Sequence, residues 1–403
     1  MNNCEKKFDY IKKFEKLGYG LFVHFGLYSV VGKGEWSEDL VPINKIDYEK
    51  NVSLFNPSKN WATDLVAVAK KSGCKYINIT TRHHDGFSLF DTKGLSTFDA
   101  VHSAAGRDLI REFVDACREG GIVPFFYHTL LDWHNEDYNS NFPKYIDYLV
   151  NSVEILCTEY GEIGGFWFDG WWDKKDADWQ FDRLYSMIRK HQPNTMIINN
   201  TGMSARGKVG HKEIDSVTFE RGNPHYVDRS EKPIAGEMCQ VLNDHWGYTE
   251  LDFNYKPLKE FIYNLIDCRK HNCNYLLNTG LMGDGSVRDI DKAILKIIGQ
   301  WIKQNKDFIY NIKYCDIKAD GADVLTDCKY YYAVIKDVPM VANPNVQLLE
   351  GDKKYFTVNA KIKDIRWLDD DSPVILTDKG YYVDTYEYGR SFAVRIAKFT
   401  LDE

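Results

Sequence analysis

The chain has 403 residues, enough for a domain of about 250–300 residues and one smaller companion. With 44% hydrophobic and 27% charged residues it has the profile of a soluble globular protein, not of a disordered or membrane-embedded one. A formal net charge of -8 offers no basic face to a phosphate backbone and argues against nucleic acid as a partner.

The opening stretch, MNNCEKKFDYIKKF, places charges where a secretory signal needs an unbroken apolar core. No apolar run reaches the length of a membrane span. The nine cysteines are an odd number, and Cys74, Cys117 and Cys157 sit inside apolar patterns. Reduced thiols and a cytoplasmic location are therefore expected. Cys268 and Cys273 have no second pair at zinc-ligand spacing, so no structural metal is expected. Ten Trp and 26 Tyr make the chain rich in rings that either fill a core or stack on sugar faces.

Short apolar segments alternate with helical patterns through the first three quarters of the chain. Strands are predicted at Gly20–Phe25, Tyr76–Thr80, Ile122–Tyr127, Gly165–Asp169, Met196–Asn200, Ile214–Phe219, Ala235–Val241 and Asn274–Asn278. Most are continuous apolar runs, as parallel strands covered on both faces should be. Helices are predicted at Trp61–Ser72, capped by Asn60 and stopped at Gly73, at Arg107–Glu119 before Gly120-Gly121, and from Pro143 to Tyr160. Lys256–Asn272 and Ile290–Gln304 complete the pattern. Eight strands interleaved with helices predict a (β/α)8-like barrel over residues 1–310, distorted where no helix is legible on either side of Ile214–Phe219. From 311 to 403 the texture changes to short alternating runs such as Tyr330–Ile335, Tyr355–Val358, Tyr381–Tyr386 and Ser391–Ile396. These predict a C-terminal antiparallel β-sandwich domain.

In a barrel of this kind the active site lies where the strands end. The residues there are His24; His83, His84 and Asp85; Tyr127 and His128; Asp169; Asn199 and Asn200; Glu220; Glu237; and Asn278. Nearly every strand thus delivers a group able to hold or transform a polyol. The sharpest signal is Gly164-Gly165-Phe166-Trp167-Phe168-Asp169-Gly170, in which an apolar strand ends on one carboxylate shielded by rings. Such a group suits attack on an anomeric carbon, or else caps a helix. A retaining glycosidase needs a second carboxyl about 5–5.5 Å away as acid and base. Glu220 is the first candidate and Glu237 the second. His83 and His84 have no metal-ligand spacing with each other or with His24, so hydrogen bonds to ring hydroxyls are expected instead of a metal. Glu35-Trp36, in a loop flanked by Gly32 and Gly34, either grips a pyranose or anchors the rim.

The stretches GYGLFVHFGLYSVVGKGEW, TRHHDGFSLFDTK, GGFWFDGWW, GEMCQVLNDHWGY and NYLLNTGLMGDG together resemble the α-L-fucosidases of glycoside hydrolase family 29, from about Tyr19 to Gly285. The resemblance, and not composition or spacing, implies fucose. It implies a retaining exo-glycosidase that releases terminal α-L-fucose by double displacement and needs no cofactor. Asp169 would be the nucleophile, with Glu220 or Glu237 as acid/base. His24, Glu35, Trp36, His83, His84, Tyr127, Trp167 and Trp246 would bind the sugar. The implied partner is a fucosylated glycan, not nucleic acid or a membrane, and a homo-oligomer is compatible with the reading. The chain departs from the family where Thr201 stands for an arginine, which Arg206 or Arg221 would have to replace. It departs again at Gly280-Leu281 for a Gly-Pro and at Gly236 for a Trp. Thr201 and the open choice of acid/base leave as the alternative a non-catalytic fucose-binding protein on the same scaffold, with a metal-dependent barrel hydrolase as a third reading.

Overall fold

The computed structural model describes residues 8–200, 207–225, 227–230, 232–338, 354–383 and 393–402. Eight parallel strands close into a barrel in chain order. They are β1 (Tyr19–His24), β2 (Tyr76–Arg82), β3 (Val123–Thr129), β4 (Gly165–Asp169), β5 (Met196–Asn199), β6 (Ser216–Glu220), β7 (Ala235–Val241) and β8 (Cys273–Gly280). Every predicted strand is present, with ends shifted by two residues at most. They are buried almost throughout, which accounts for their continuous apolar runs.

The N-terminal mouth of the barrel is closed by a helix that the sequence reading did not anticipate, α1 (Asp9–Leu17). Its Ile11 and Phe14 join Tyr76, Met196 and Ala235, each the first residue of its strand, in one apolar cluster. The Phe14 carbonyl accepts from Asn274 Nδ2 at 2.8 Å, and Tyr10 donates to Asp215 at 2.9 Å.

Helix α2 (Trp61–Ser72) ends as predicted on left-handed Gly73. Asn60 does not cap it. Its backbone (φ -100°, ψ 6°) lacks the extended conformation a capping side chain needs, and it makes no capping hydrogen bond. Helix α3 (Leu109–Gly120) starts two residues later than expected, because Asp108 accepts from the Arg111 N–H. Helix α4 (Phe142–Glu159) carries Pro143 in its first turn and is capped by Asn141. A second unanticipated helix, α5 (Phe181–His191), follows, and α6 (Leu258–Lys270) and α7 (Asp289–Gln304) complete the set of longer helices. Among the described residues no helix lies between β6 and β7, where the sequence offers none. None is long and apolar enough to cross a membrane.

By internal contacts the chain divides into two compact units, 1–256 with 273–300, and 257–272 with 301–403. In the second, nine short strands among the described residues form two antiparallel sheets. They are β9 (Lys313–Tyr314), β10 (Ala319–Asp320), β11 (Asp323–Thr326), β12 (Tyr331–Lys336), β13 (Lys354–Val358), β14 (Ile362–Trp367), β15 (Leu376–Thr377), β16 (Gly380–Val383) and β17 (Val394–Leu401). One sheet runs β10-β13-β16-β15 and the other β14-β17-β12-β11-β9. Phe356 and Val383 of the first share a core with Ile335, Trp367 and Phe399 of the second, as a sandwich requires. Residues 384–386 and 391–392, the ends of two predicted strands, lie outside the described residues.

Candidate active site

At the C-terminal mouth lies a small cavity, open to solvent. Its polar lining is Asp169, Glu220, Asn200, His24, His83 and His84, and its rings are Phe22, Trp36, Tyr127, Trp167, Trp172 and Trp246.

Asp169 ends β4, and Gly170 turns the chain away at φ 93°. A Cβ there would come within 2.7 Å of the Leu131 Cβ and 2.8 Å of its nitrogen, so the turn needs glycine. Tyr127 donates its hydroxyl to Asp169 Oδ2 at 3.1 Å, and Asn200 Nδ2 donates to Oδ1 at 3.3 Å. Burial and then the charge of Glu220 push its pKa up to about 6, against the pull of these donors and the Gly170 N–H. It is therefore mostly ionised at neutral pH.

Glu220 is the last residue of β6. Asn200 Nδ2 donates to its Oε2 at 2.7 Å as well as to Asp169. The orientation of that amide is set from behind, where Thr218 donates to Asn200 Oδ1 at 2.9 Å. Two oxygens that share one nitrogen at these distances lie no more than about 6 Å apart, the spacing of a retaining pair and too close for an interposed water.

Glu237, the second candidate for the acid, does not face the cavity. It is the third residue of β7 and pairs with Thr218, whereas Cys239 pairs with Glu220. Two residues of strand put it roughly 6–7 Å deeper in the barrel. There it is buried, accepts from the hydroxyl of Tyr76, and accepts from Trp167 Nε1 at 3.1 Å. Burial pushes its pKa up to about 7.

The strand-end list divides by the side each residue faces. His24, His83, His84, Tyr127, Asp169, Asn200 and Glu220 line the cavity. Asp85 instead accepts from Tyr48 at 2.7 Å, His128 meets Thr81 at 2.9 Å, and Asn199 donates to Tyr185 at 2.8 Å. Asn278 stands behind His24 at 2.7 Å. Glu35 is not part of the lining. Buried, it accepts from the Gly247 N–H at 2.8 Å and so braces the chain beside Trp246. Trp36 does line the cavity, stacked on Trp172 with centroids 5.7 Å apart. Arg221, one proposed stand-in for the missing arginine, is exposed, lies 5.2 Å over the Trp246 ring and donates to the Asp244 carbonyl. Thr201 and Arg206 lie outside the described residues.

Two features escaped the sequence reading. Asn200 was one polar strand end among many, and its bridge between the carboxylates depends on Thr218, distant in sequence. Trp172 follows the Asp169 segment directly in GGFWFDGWW, so its proximity to the site was legible there. Among the described residues no group of three or more His, Cys, Asp and Glu side chains converges as metal ligands would.

A family model described as Alpha-L-fucosidase matches residues 2–307. The chain is 25% identical over 333 residues to an α-L-fucosidase of Dictyostelium discoideum, covering 74% of this chain and 70% of that one. It is 27% identical over 301 residues to α-L-fucosidase 1 of Arabidopsis thaliana, a match covering 68% of this chain and 56% of the plant protein. Among solved structures, α-L-fucosidase isoenzyme 1 from Paenibacillus thiaminolyticus superposes with a TM-score of 0.83 at 30% identity, over 98% of this chain and 100% of that one.

Proposed function

Because this chain belongs to the α-L-fucosidase family, we propose that its cavity hydrolyses terminal α-L-fucosides with Asp169 as nucleophile and Glu220 as acid/base. The observation that carries the assignment is the single Asn200 amide nitrogen bonded to both carboxylates.

In the form of the pair that holds its one proton on Glu220, the ionised Asp169 attacks the anomeric carbon as the glycosidic bond breaks, and that proton passes to the departing oxygen. Glu220, now a carboxylate, takes a proton from water, whose oxygen attacks the same carbon and expels Asp169. Two inversions return α-L-fucose. Asn200, held by Thr218, keeps both carboxylates in register, and the Tyr127 hydroxyl supports the charge of Asp169 before attack and again as it is expelled. The neutral histidines and the surrounding rings suit a sugar with several hydroxyls and one methyl group. A non-catalytic binder has no use for two carboxylates held so close, so the catalytic reading is preferred. The natural substrate in this proposal is a fucosylated glycan. A cytoplasmic location is proposed with it, on the ground that the described cysteines are free thiols and most are buried.

The test is to trap the protein with 2-deoxy-2-fluoro-α-L-fucosyl fluoride and map the labelled peptide. A fluorofucosyl adduct on Asp169 is the expected result. An adduct on another residue, or release of inverted fucose from an ordinary substrate, would overturn the assignment.

A further inference from the structure

We infer that Thr129 and Asn278 lock the tautomers of His84 and His24, so that both rings turn lone-pair nitrogens to the cavity and read sugar hydroxyls as hydrogen-bond donors.

The inference follows from counting hydrogens. Thr129 Oγ1 lies 2.6 Å from the Leu131 carbonyl, which can only accept, so the single hydroxyl hydrogen is committed there. The same oxygen is 2.7 Å from His84 Nδ1. That second bond needs a hydrogen from the ring, and Nδ1 therefore carries it. At His24 the logic runs through an amide. Asn278 Nδ2 donates to the Trp246 carbonyl at 2.7 Å, which leaves Oδ1 as the atom 2.7 Å from His24 Nδ1. An oxygen accepts, so again Nδ1 is the protonated nitrogen.

Burial pushes the pKa of each ring down to about 3, so neither becomes imidazolium near neutral pH. A neutral imidazole with its hydrogen on Nδ1 has only a lone pair on Nε2. His84 Nε2 stands 3.7 Å from Asp169 Oδ2, two acceptors facing one another. A ligand hydroxyl placed there supplies the missing hydrogen, whereas an ether oxygen or a fluorine does not. His83 is the internal contrast, since its Nδ1 is buried without a hydrogen-bond partner among the described residues and its tautomer is not set in this way.

Thr129 and Asn278 are thus positioning residues that touch no reacting atom in this scheme. The inference rests on the fucosidase reading only for the identity of the sugar, because the tautomers belong to the ligand-free protein.

The experiment is long-range 1H–15N correlation spectroscopy at pH 7 on the full chain labelled with 15N-histidine, assigned with His24→Gln and His84→Gln. For wild type both rings are expected to show a protonated Nδ1 and a bare Nε2. Thr129→Val should move His84 to a mixed or Nε2-protonated pattern and leave His24 unchanged, and Thr129→Ser should restore it. Inhibition by L-fucose and its monodeoxy and deoxyfluoro analogues supplies the second readout. At the hydroxyls these rings read, the deoxy and deoxyfluoro sugars should both lose about tenfold in affinity. An Nε2-protonated ring in wild type overturns the inference, as does a deoxyfluoro sugar that binds as well as L-fucose at every position. An unchanged His84 pattern in Thr129→Val removes the role of Thr129. If the tautomers are as stated but L-fucose does not inhibit, the fucosidase reading fails and the lock stands.

Discussion

Glu220 and Glu237 stand on neighbouring parallel strands, and two residues of register separate their fates. Glu220 ends β6 in the cavity beside Asp169, bonded by an amide that Asp169 shares. Glu237 lies at the level of Thr218, sealed beneath Trp167 and held by two donors. In a barrel the strand end is where a carboxylate meets substrate. The same residue type one layer down becomes a brace for the rings that form the floor.

The largest effect that could break this contrast is on catalysis. Glu220→Gln should lower kcat/KM on a fucosylated oligosaccharide by about 10²–10⁴, the span of general acid–base assistance. An aryl α-L-fucoside with a good leaving group needs little protonation and should lose far less in the fucosylation step. Glu237→Gln touches no leaving group, so both substrates should decline together and by less. Steady-state kinetics on the two substrates decides the matter. A large oligosaccharide-selective loss in Glu237→Gln, with Glu220→Gln near wild type, would reverse the roles.

A smaller effect sharpens the comparison through pH. Asp169 has its pKa raised to about 6, with the Glu220 charge second among the causes after burial. The free enzyme should therefore lose kcat/KM on the aryl fucoside as pH falls through about 6, because the nucleophile takes up a proton. Glu220→Gln removes the like charge and should move that limb to lower pH. Glu237→Gln should leave it in place. The limb reports the pair, not one residue alone, so its shift on removal of the partner is the diagnostic quantity.

The fold was legible because buried parallel strands write themselves as largely apolar runs, and most of the eight do so. Helix α1 was not, because its two fully buried anchors, Ile11 and Phe14, stand among lysines, and their burial depends on strand ends far along the chain. Helix α5 carries a readable signal in the helical spacing of its buried Leu184, Tyr185 and Ile188. The cavity-lining groups His24, His83, His84 and Asp169 stood at predicted strand ends. Which face each strand-end residue takes was not legible, so Asp85, His128 and Asn199 looked equal to them. The level of Glu237 was obscured in the same way. Ala235–Val241 is a strand as predicted, but Glu237 is its third residue and not its end.

The smallest expected effect is on stability, and it has opposite signs at the two levels of the barrel. The folded-state pKa of Asp169 is raised from 3.8 to about 6, so the native state holds its proton more tightly than the unfolded chain does. Stability from this group is fully retained below about pH 4, falls as pH rises to about 6, and stays lost above that. Asp169→Asn removes the charge and its repulsion by Glu220, and water in the open cavity can satisfy the new amide. It should stabilise the protein at pH 7.5 by up to about 3 kcal/mol, and the gain should shrink towards zero near pH 4. Glu237 also has a raised pKa, but no water reaches it, and the Tyr76 hydroxyl and Trp167 N–H each need an acceptor. Glutamine offers one carbonyl where the carboxylate offers two oxygens, so a buried donor loses its partner at a cost of about 1–3 kcal/mol. Urea unfolding of both variants at pH 7.5 and pH 4.5 measures the difference. Should Glu237→Gln stabilise the protein as Asp169→Asn does, the deeper glutamate is under the same electrostatic strain as the nucleophile and is no brace.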